Sequence, residues 1–128
     1  MIGYITLGSN DLNSAALFFD SVLGALGGER LCSIENMIVW GFAPDRPTIM
    51  VTRPFNGLAA TPGNGSMVAL LARDKEQVDE VHAIALSLGA VDEGPPGPRG
   101  RSFYGGYFRD LDGNKFNIHL THQTRPTE

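Results

Sequence analysis

Two stretches of the chain can be laid on each other. Gly3-Tyr4-Ile5-Thr6-Leu7 leads into a helix beginning near Asp11, and about 63 residues later Ser66-Met67-Val68-Ala69-Leu70 leads into a helix beginning near Asp74. The offset places Tyr4 on Met67, Leu7 on Leu70, Asp11 on Asp74 and Leu23 on Leu86. A strand-helix unit repeated within one short chain predicts two similar halves with a cleft where they meet. Residues at matched positions on the paired strands would then face one cavity.

The periodicity switches cleanly along the chain. Ile2 to Gly8 alternates as a strand. Leu12, Ala16, Phe19, Leu23 and Leu26 recur at helical spacing until Gly27-Gly28 supplies a stop. Arg30 to Ser33, Met37 to Phe42 and Thr48 to Arg53 read as short strands, separated by Glu35-Asn36 and by Pro44-Asp45-Arg46-Pro47. Asn56 to Gly65 connects the halves. Met67 to Ala72 reads as a strand. In the helix that follows, Asp74 is the expected N-cap with Gln77 in the reciprocal position, and Val78, Val81, Ala85 and Leu88 form the buried stripe up to Gly89. A second strand reads around Ala90 to Glu93, then a Gly/Pro-rich loop over Gly94 to Gly100. Tyr104 to Arg109 and Lys115 to Leu120 are the last strands, joined by a tight turn at Asp112-Gly113. Asp110 to Asn114 does not make a calcium loop. That loop needs glycine sixth and glutamate twelfth, and here glycine is fourth and Thr121 is twelfth.

A chain of 128 residues predicts a single domain over 1-128, with modules 1-60 and 61-128. A net charge of −4, with only Arg99 and Arg101 in its most basic stretch, argues against nucleic acid. Cys32 stands alone, so no internal disulfide forms and a reducing, cytoplasmic setting is expected. No apolar run has the length of a membrane span, and the start lacks the basic region of a signal peptide.

The repeat, the Pro62-Gly63-Asn64-Gly65 connector and the ending Tyr104-Gly105-Gly106-Tyr107-Phe108-Arg109-Asp110-Leu111-Asp112-Gly113-Asn114-Lys115 resemble the vicinal oxygen chelate superfamily. That superfamily includes glyoxalase I, bleomycin-resistance proteins and extradiol dioxygenases. The resemblance covers essentially the whole chain. It implies an α+β fold of two βαβββ modules whose strands form a curled, open, barrel-like mixed sheet around a cavity. It also implies a homodimer, for which Phe18 and Phe55 are either candidate exposed contacts or ordinary surface residues.

Metal-dependent members of the superfamily hold a divalent ion in that cavity. Their first-strand histidine falls where this chain has Tyr4, a second histidine where it has Met67, and a glutamate where it has Asn117. A borderline divalent ion wants imidazole nitrogens and an anionic oxygen. A neutral phenol, a thioether and an amide supply neither. No metal and no cofactor are therefore expected.

What remains is a binding surface. Tyr4, Thr6, Met67, Ala69, Asn117 and His119 are expected to line it, with Trp40, Met50 and Arg53 as candidates from the middle strands. Met67 and Trp40 filling the sheet as core is the plainer alternative. His119 shares a strand face with Asn117, and it could act as a general base with Tyr4 as acid. A cavity-lining or hydrogen-bonded role is the simpler one. His82 reads as helix surface, His122 as part of a polar tail, and Cys32 as core. The Gly94 to Arg101 segment either presents Arg99 or Arg101 to an anionic ligand or is a stiff surface connection, and the second is favoured. These readings predict a protein that binds a small, partly apolar molecule without metal. The alternative is a metal-dependent lyase, isomerase or dioxygenase with other ligands or acid-base groups.

Overall fold

The computed structural model describes residues 1–121. The elements run β1(Tyr4–Gly8), α1(Leu12–Gly24), β2(Glu29–Ile34), β3(Met37–Gly41), β4(Thr48–Thr52), β5(Val68–Leu71), α2(Lys75–Ser87), β6(Val91–Pro98), β7(Phe103–Arg109) and β8(Lys115–Thr121). Two four-stranded mixed sheets result, ordered β1-β4-β3-β2 and β5-β8-β7-β6. This is the expected α+β arrangement of two βαβββ modules. In both sheets the outer strand β1 or β5 pairs in parallel with the last strand of its module. The sheets are not closed on each other, because β1 and β5 are both edges and make no ladder together. Among the described residues no helix is long and apolar enough to cross a membrane.

Local chemistry sets both helix starts. The Asp11 side chain accepts from Ser14 N at 3.2 Å and the Asp74 side chain from Gln77 N at 2.9 Å, each satisfying a first-turn donor. Gln77 does not return its side chain to the cap residue. Its Oε1 accepts one residue earlier, from Arg73 N, and its Nε2 crosses to Ala25 O at 3.0 Å, tying α2 to the end of α1.

The core lies between the helices and the sheets. Ile38, Trp40, Ile49 and Val51 enter it from the first sheet, and Leu70, Phe116, Ile118 and Phe108 from the second. On α1 the adjacent rings Phe18 and Phe19 point to different sides. Phe19 meets Trp40 at 5.5 Å and Phe116 at 5.7 Å, and Phe18 meets Phe108 at 6.4 Å. The helix therefore packs against both sheets. This overturns the expectation that Phe18 is an exposed contact, since it is only 1% accessible. Phe55 is exposed as expected.

His82 is also displaced from the surface role its spacing suggested. It is 4% accessible, and its Nε2 lies 3.2 Å from both Asp92 Oδ1 and Tyr107 O. It joins Val78, Val81 and Ala85 on the buried stripe of α2, whereas Leu88, expected there, is the exposed C-cap residue. Cys32 is exposed rather than core, because β2 is an edge strand whose residues are all accessible. The Gly/Pro segment expected as a loop continues β6 to Pro98. Proline is tolerated there because β6 is an edge, paired only with β7 and with register shifts at Asp92/Gly94 and Gly94/Gly97.

The β7–β8 turn joins the two halves. Gly113, at φ 86°, takes a conformation that other residues rarely hold. Asp110 is buried and accepts from Asp112 N, Asn114 N and Asn114 Nδ2. Asn114 Nδ2 also donates to Gly8 O at 3.1 Å, and Asp112 Oδ1 accepts from Asn10 N at 2.8 Å. The Asp-x-Asp-Gly-Asn motif thus clamps the loop between β1 and α1.

Candidate functional site

Strand alternation gives each sheet a second face, turned away from the helices. On β1 it carries Tyr4 and Thr6, since Ile5 and Leu7 pack on the core. The β1–β4 register sets Thr6 opposite Met50, with Thr6 Oγ1 and Met50 Sδ 3.9 Å apart. On the second sheet the open face carries Ala69, Asn117 and His119, with Ala69 opposite Asn117. Between the sheets runs a cleft of about 760 Å³, lined by Ile5, Leu26, Phe42, Met67, Ala69 and Leu71 among others, with Arg46 and Arg73 as its cations.

The sequence candidates are therefore divided. Met67 and Ala69 line the cleft. Tyr4, Thr6 and Met50 lie together on the first open face, and Asn117 and His119 on the second. Arg53 is exposed just past the end of β4. Trp40 is placed elsewhere. It points to the helix side of β3, fully buried, and donates Nε1–H to Asp20 at 2.9 Å. Both alternating sets on β3, Met37/Val39 and Ile38/Trp40, are apolar, so pattern alone does not say which set faces α1.

Asn117 is 1% accessible and commits its Nδ2 to Gly106 O at 3.2 Å. His119 is half-buried beneath Phe103, whose ring stacks on it at 5.2 Å with an interplanar angle of 10°. Its Nδ1 is buried without a hydrogen-bond partner. Burial pushes the imidazole below its usual pKa, and the Leu70 carbonyl opposes this in part. A depressed folded-state pKa means stability that is present above about pH 6.5, the unfolded value, and lost as pH falls through the lowered one. Proton NMR is expected to place the His119 titration midpoint below 6.5, with wild-type stability declining on acidification there more steeply than in His119→Phe. A midpoint at or above 6.5 would refute the buried, neutral ring.

The arrangement fits the superfamily's divalent ion poorly. Tyr4 is 62% and Met67 47% accessible, both without a charged oxygen to contribute, while the Asn117 amide is bonded into the sheet. Among the described residues no three His, Cys, Asp or Glu side chains converge. His122 lies outside them. No catalytic step through an ion can be built from Tyr4, Met67 and Asn117.

One group of residues escaped the sequence reading. On the second open face, Tyr107 and Arg109 of β7, Lys115 of β8 and Glu93 of β6 form a charged cluster, joined by Arg99. Glu93 Oε1 accepts from Arg109 Nε at 2.9 Å and lies 3.2 Å from Lys115 Nζ. The Arg109 guanidinium, with Lys115 behind it, holds the Glu93 carboxyl below its ordinary range. The signal for Tyr107 and Arg109 was their alternation with Phe108. Their meeting with β6 depends on a bulged edge that the pattern did not show.

A glyoxalase/bleomycin-resistance protein from Albidiferax ferrireducens T118 is similar at 35% identity and TM-score 0.86, over 94% of this chain and 98% of that one. A glyoxalase-related enzyme from Fulvimarina pelagi shares the fold at 20% identity and TM-score 0.78, over 94% and 88%. The fosfomycin resistance protein FosX from Listeria monocytogenes shares it at 22% identity and TM-score 0.73, over 96% and 94%. No curated protein matches. The profile of the Glyoxalase/Bleomycin resistance protein/Dioxygenase superfamily matches residues 1–118, and the chain belongs to that superfamily.

Proposed function

We propose that this chain binds a small, partly apolar molecule in the cleft and on the adjoining open face, without the superfamily's metal. The observation that carries this reading is the donor set. An exposed phenol, a thioether and a buried, committed amide stand where the resemblance places ligands, beside a largely apolar cleft. Met67 supplies an adaptable wall, and Thr6 and Tyr4 offer hydrogen bonds. The binding unit is the whole chain as one domain, working as a homodimer in the cytoplasm. The exposed Leu31 and Ile34 of the edge strand β2, outside the cleft lining, support the dimer, since they leave apolar area for a second copy to cover.

A second reading is favoured by one observation. The neutral imidazole of His119 would take a proton from a substrate, with Tyr4 as the acid, once the site opens to expose the buried Nδ1. Elemental analysis tests the absence of metal, and the fate of a bound ligand separates the two readings. Protein grown with zinc, nickel, manganese and iron is expected to carry less than about a tenth of an equivalent of any of them. Ligands found by thermal shift are expected to be recovered unchanged. Near-stoichiometric metal, or turnover of the ligand with or without a chelator, would overturn the binding reading.

A further inference from the structure

Arg99 follows β6 and folds back over it. Its Nη2 donates to Pro95 O at 2.8 Å and its Nη1 to Pro98 O at 3.4 Å. The guanidinium carbon lies 5.8 Å from the centre of the Tyr107 ring. The strand leaves room for it. A Cβ at Gly94 would stand 3.3 Å from Nη2 and one at Gly97 3.2 Å from Nη1, so larger residues there would crowd the guanidinium. Lys115 Nζ sits 5.6 Å from the same ring. Two cations thus gather on one tyrosine, and backbone contacts hold one of them in a fixed pose.

The charges do not cancel. Arg109 and Lys115 share the single carboxylate of Glu93. Arg99 has no ion-pair partner among the described residues, and its two bonds to neutral carbonyls leave its charge uncompensated. A local excess of positive charge therefore sits on an open sheet face, in a chain whose net charge is −4. A guanidinium retains free N–H groups after two such bonds and presents them as a fork matched to two oxygens. The other side of the face is apolar, with Leu71, Ala69 and Met67 on and beside β5. Adjacent strands lie about 4.8 Å apart, so the face spans roughly 14 Å from β5 to β6.

We propose that Arg99, Lys115 and Tyr107 form an oxyanion subsite, which takes the carboxylate, phosphate or phosphonate end of a ligand whose apolar body lies toward β5. The inference rests on the small-molecule reading above and names the chemical class of that molecule. Arg99 supplies a preorganised fork, Lys115 a point charge, and the Tyr107 hydroxyl a further donor. Glu93 limits the positive charge by occupying Lys115 and Arg109.

The ¹⁵N-labelled chain, titrated at low ionic strength with phenylacetate, phenylphosphonate and neutral phenylacetamide, tests this. Both acids are expected to shift amide signals of β6, β7 and β8, with the amide binding there about tenfold more weakly. Arg99→Gln is expected to weaken the acids by about tenfold. Glu93→Gln is expected to tighten them severalfold, because it frees Lys115, whereas a merely structural ion pair would leave binding unchanged or impaired. Phenylacetate alone, or phenylphosphonate alone, shifting those signals would assign the subsite to that oxyanion. Equal binding of the acids and the amide would overturn the oxyanion subsite while leaving the small-molecule reading intact. Acids that bind Arg99→Gln as tightly as wild type, or shift no signal on β6 to β8, would also overturn it. Apolar ligands in the cleft would then be the measure of the broader reading.

Discussion

Replacing Phe19 with alanine is expected to remove about 3–5 kcal/mol of stability, measured as a fall in the urea midpoint at unchanged slope. The ring is fully buried and touches Phe18, Trp40 and Phe116. Trp40 belongs to one sheet and Phe116 to the other, and both frameworks are fixed by their own ladders. The walls of the resulting cavity cannot easily collapse from both directions, which puts the cost at the high end for a large-to-small change. Phe55→Ala, at an exposed site, is the control and is expected to stay within about 0.5 kcal/mol of wild type. A loss below about 1 kcal/mol for Phe19→Ala would mean that α1 does not join the sheets as described.

The second large effect is expected at the β7–β8 turn. Asn114→Asp keeps the side chain's shape and replaces the donor shared by Asp110 Oδ2 and Gly8 O with an acceptor. Two carboxylates would then meet in a buried site. At pH 7 the expected loss is about 3–5 kcal/mol, against about 1–3 kcal/mol for Asn114→Ala, which only removes the donor. Burial already pushes the Asp110 carboxyl above its ordinary range, and an adjacent carboxylate would push the pair further. Acids with a raised folded-state pKa favour folding below the unfolded value, about 3.9 for aspartate. That contribution is lost as pH rises through the raised value. The Asn114→Asp deficit should therefore shrink as pH falls from 7 toward 4, read from melting temperatures across that range. A deficit independent of pH would show that the two groups do not meet.

The elements were legible because their signals are local. Asp11 and Asp74 cap within one turn, and Asp112-Gly113 makes its own hairpin. The internal repeat then placed two similar modules. Where reading failed, the deciding contact came from far along the chain. Phe18 was expected outside because one apolar stripe suffices for a helix against one sheet, and α1 meets two. His82 is buried because β6 brings Asp92 over it. The Gly/Pro stretch of β6 was unreadable as a strand because only its place at an edge makes it permissible. On β1, alternation set Tyr4 and Thr6 on the face opposite the core-packed Ile5 and Leu7. It could not choose between the two apolar faces of β3, which is why Trp40 was placed on the wrong one. The cluster around Tyr107 needed three strands and a bulge to assemble.

The side of the sheets on which the core lies has an evolutionary consequence. The packing that holds this chain together is on the helix side, and the open faces contribute little to it. Tyr4, Thr6, Met67 and Ala69 can therefore drift with small loss of stability, while Phe19, Trp40 and the Asp110–Asn114 clamp cannot. A core confined to the helix side separates the residues that stability must keep from those free to explore new ligands. Asn117 is the exception on these faces, since it is buried and bonded to Gly106 O, and a change there would disturb the sheet.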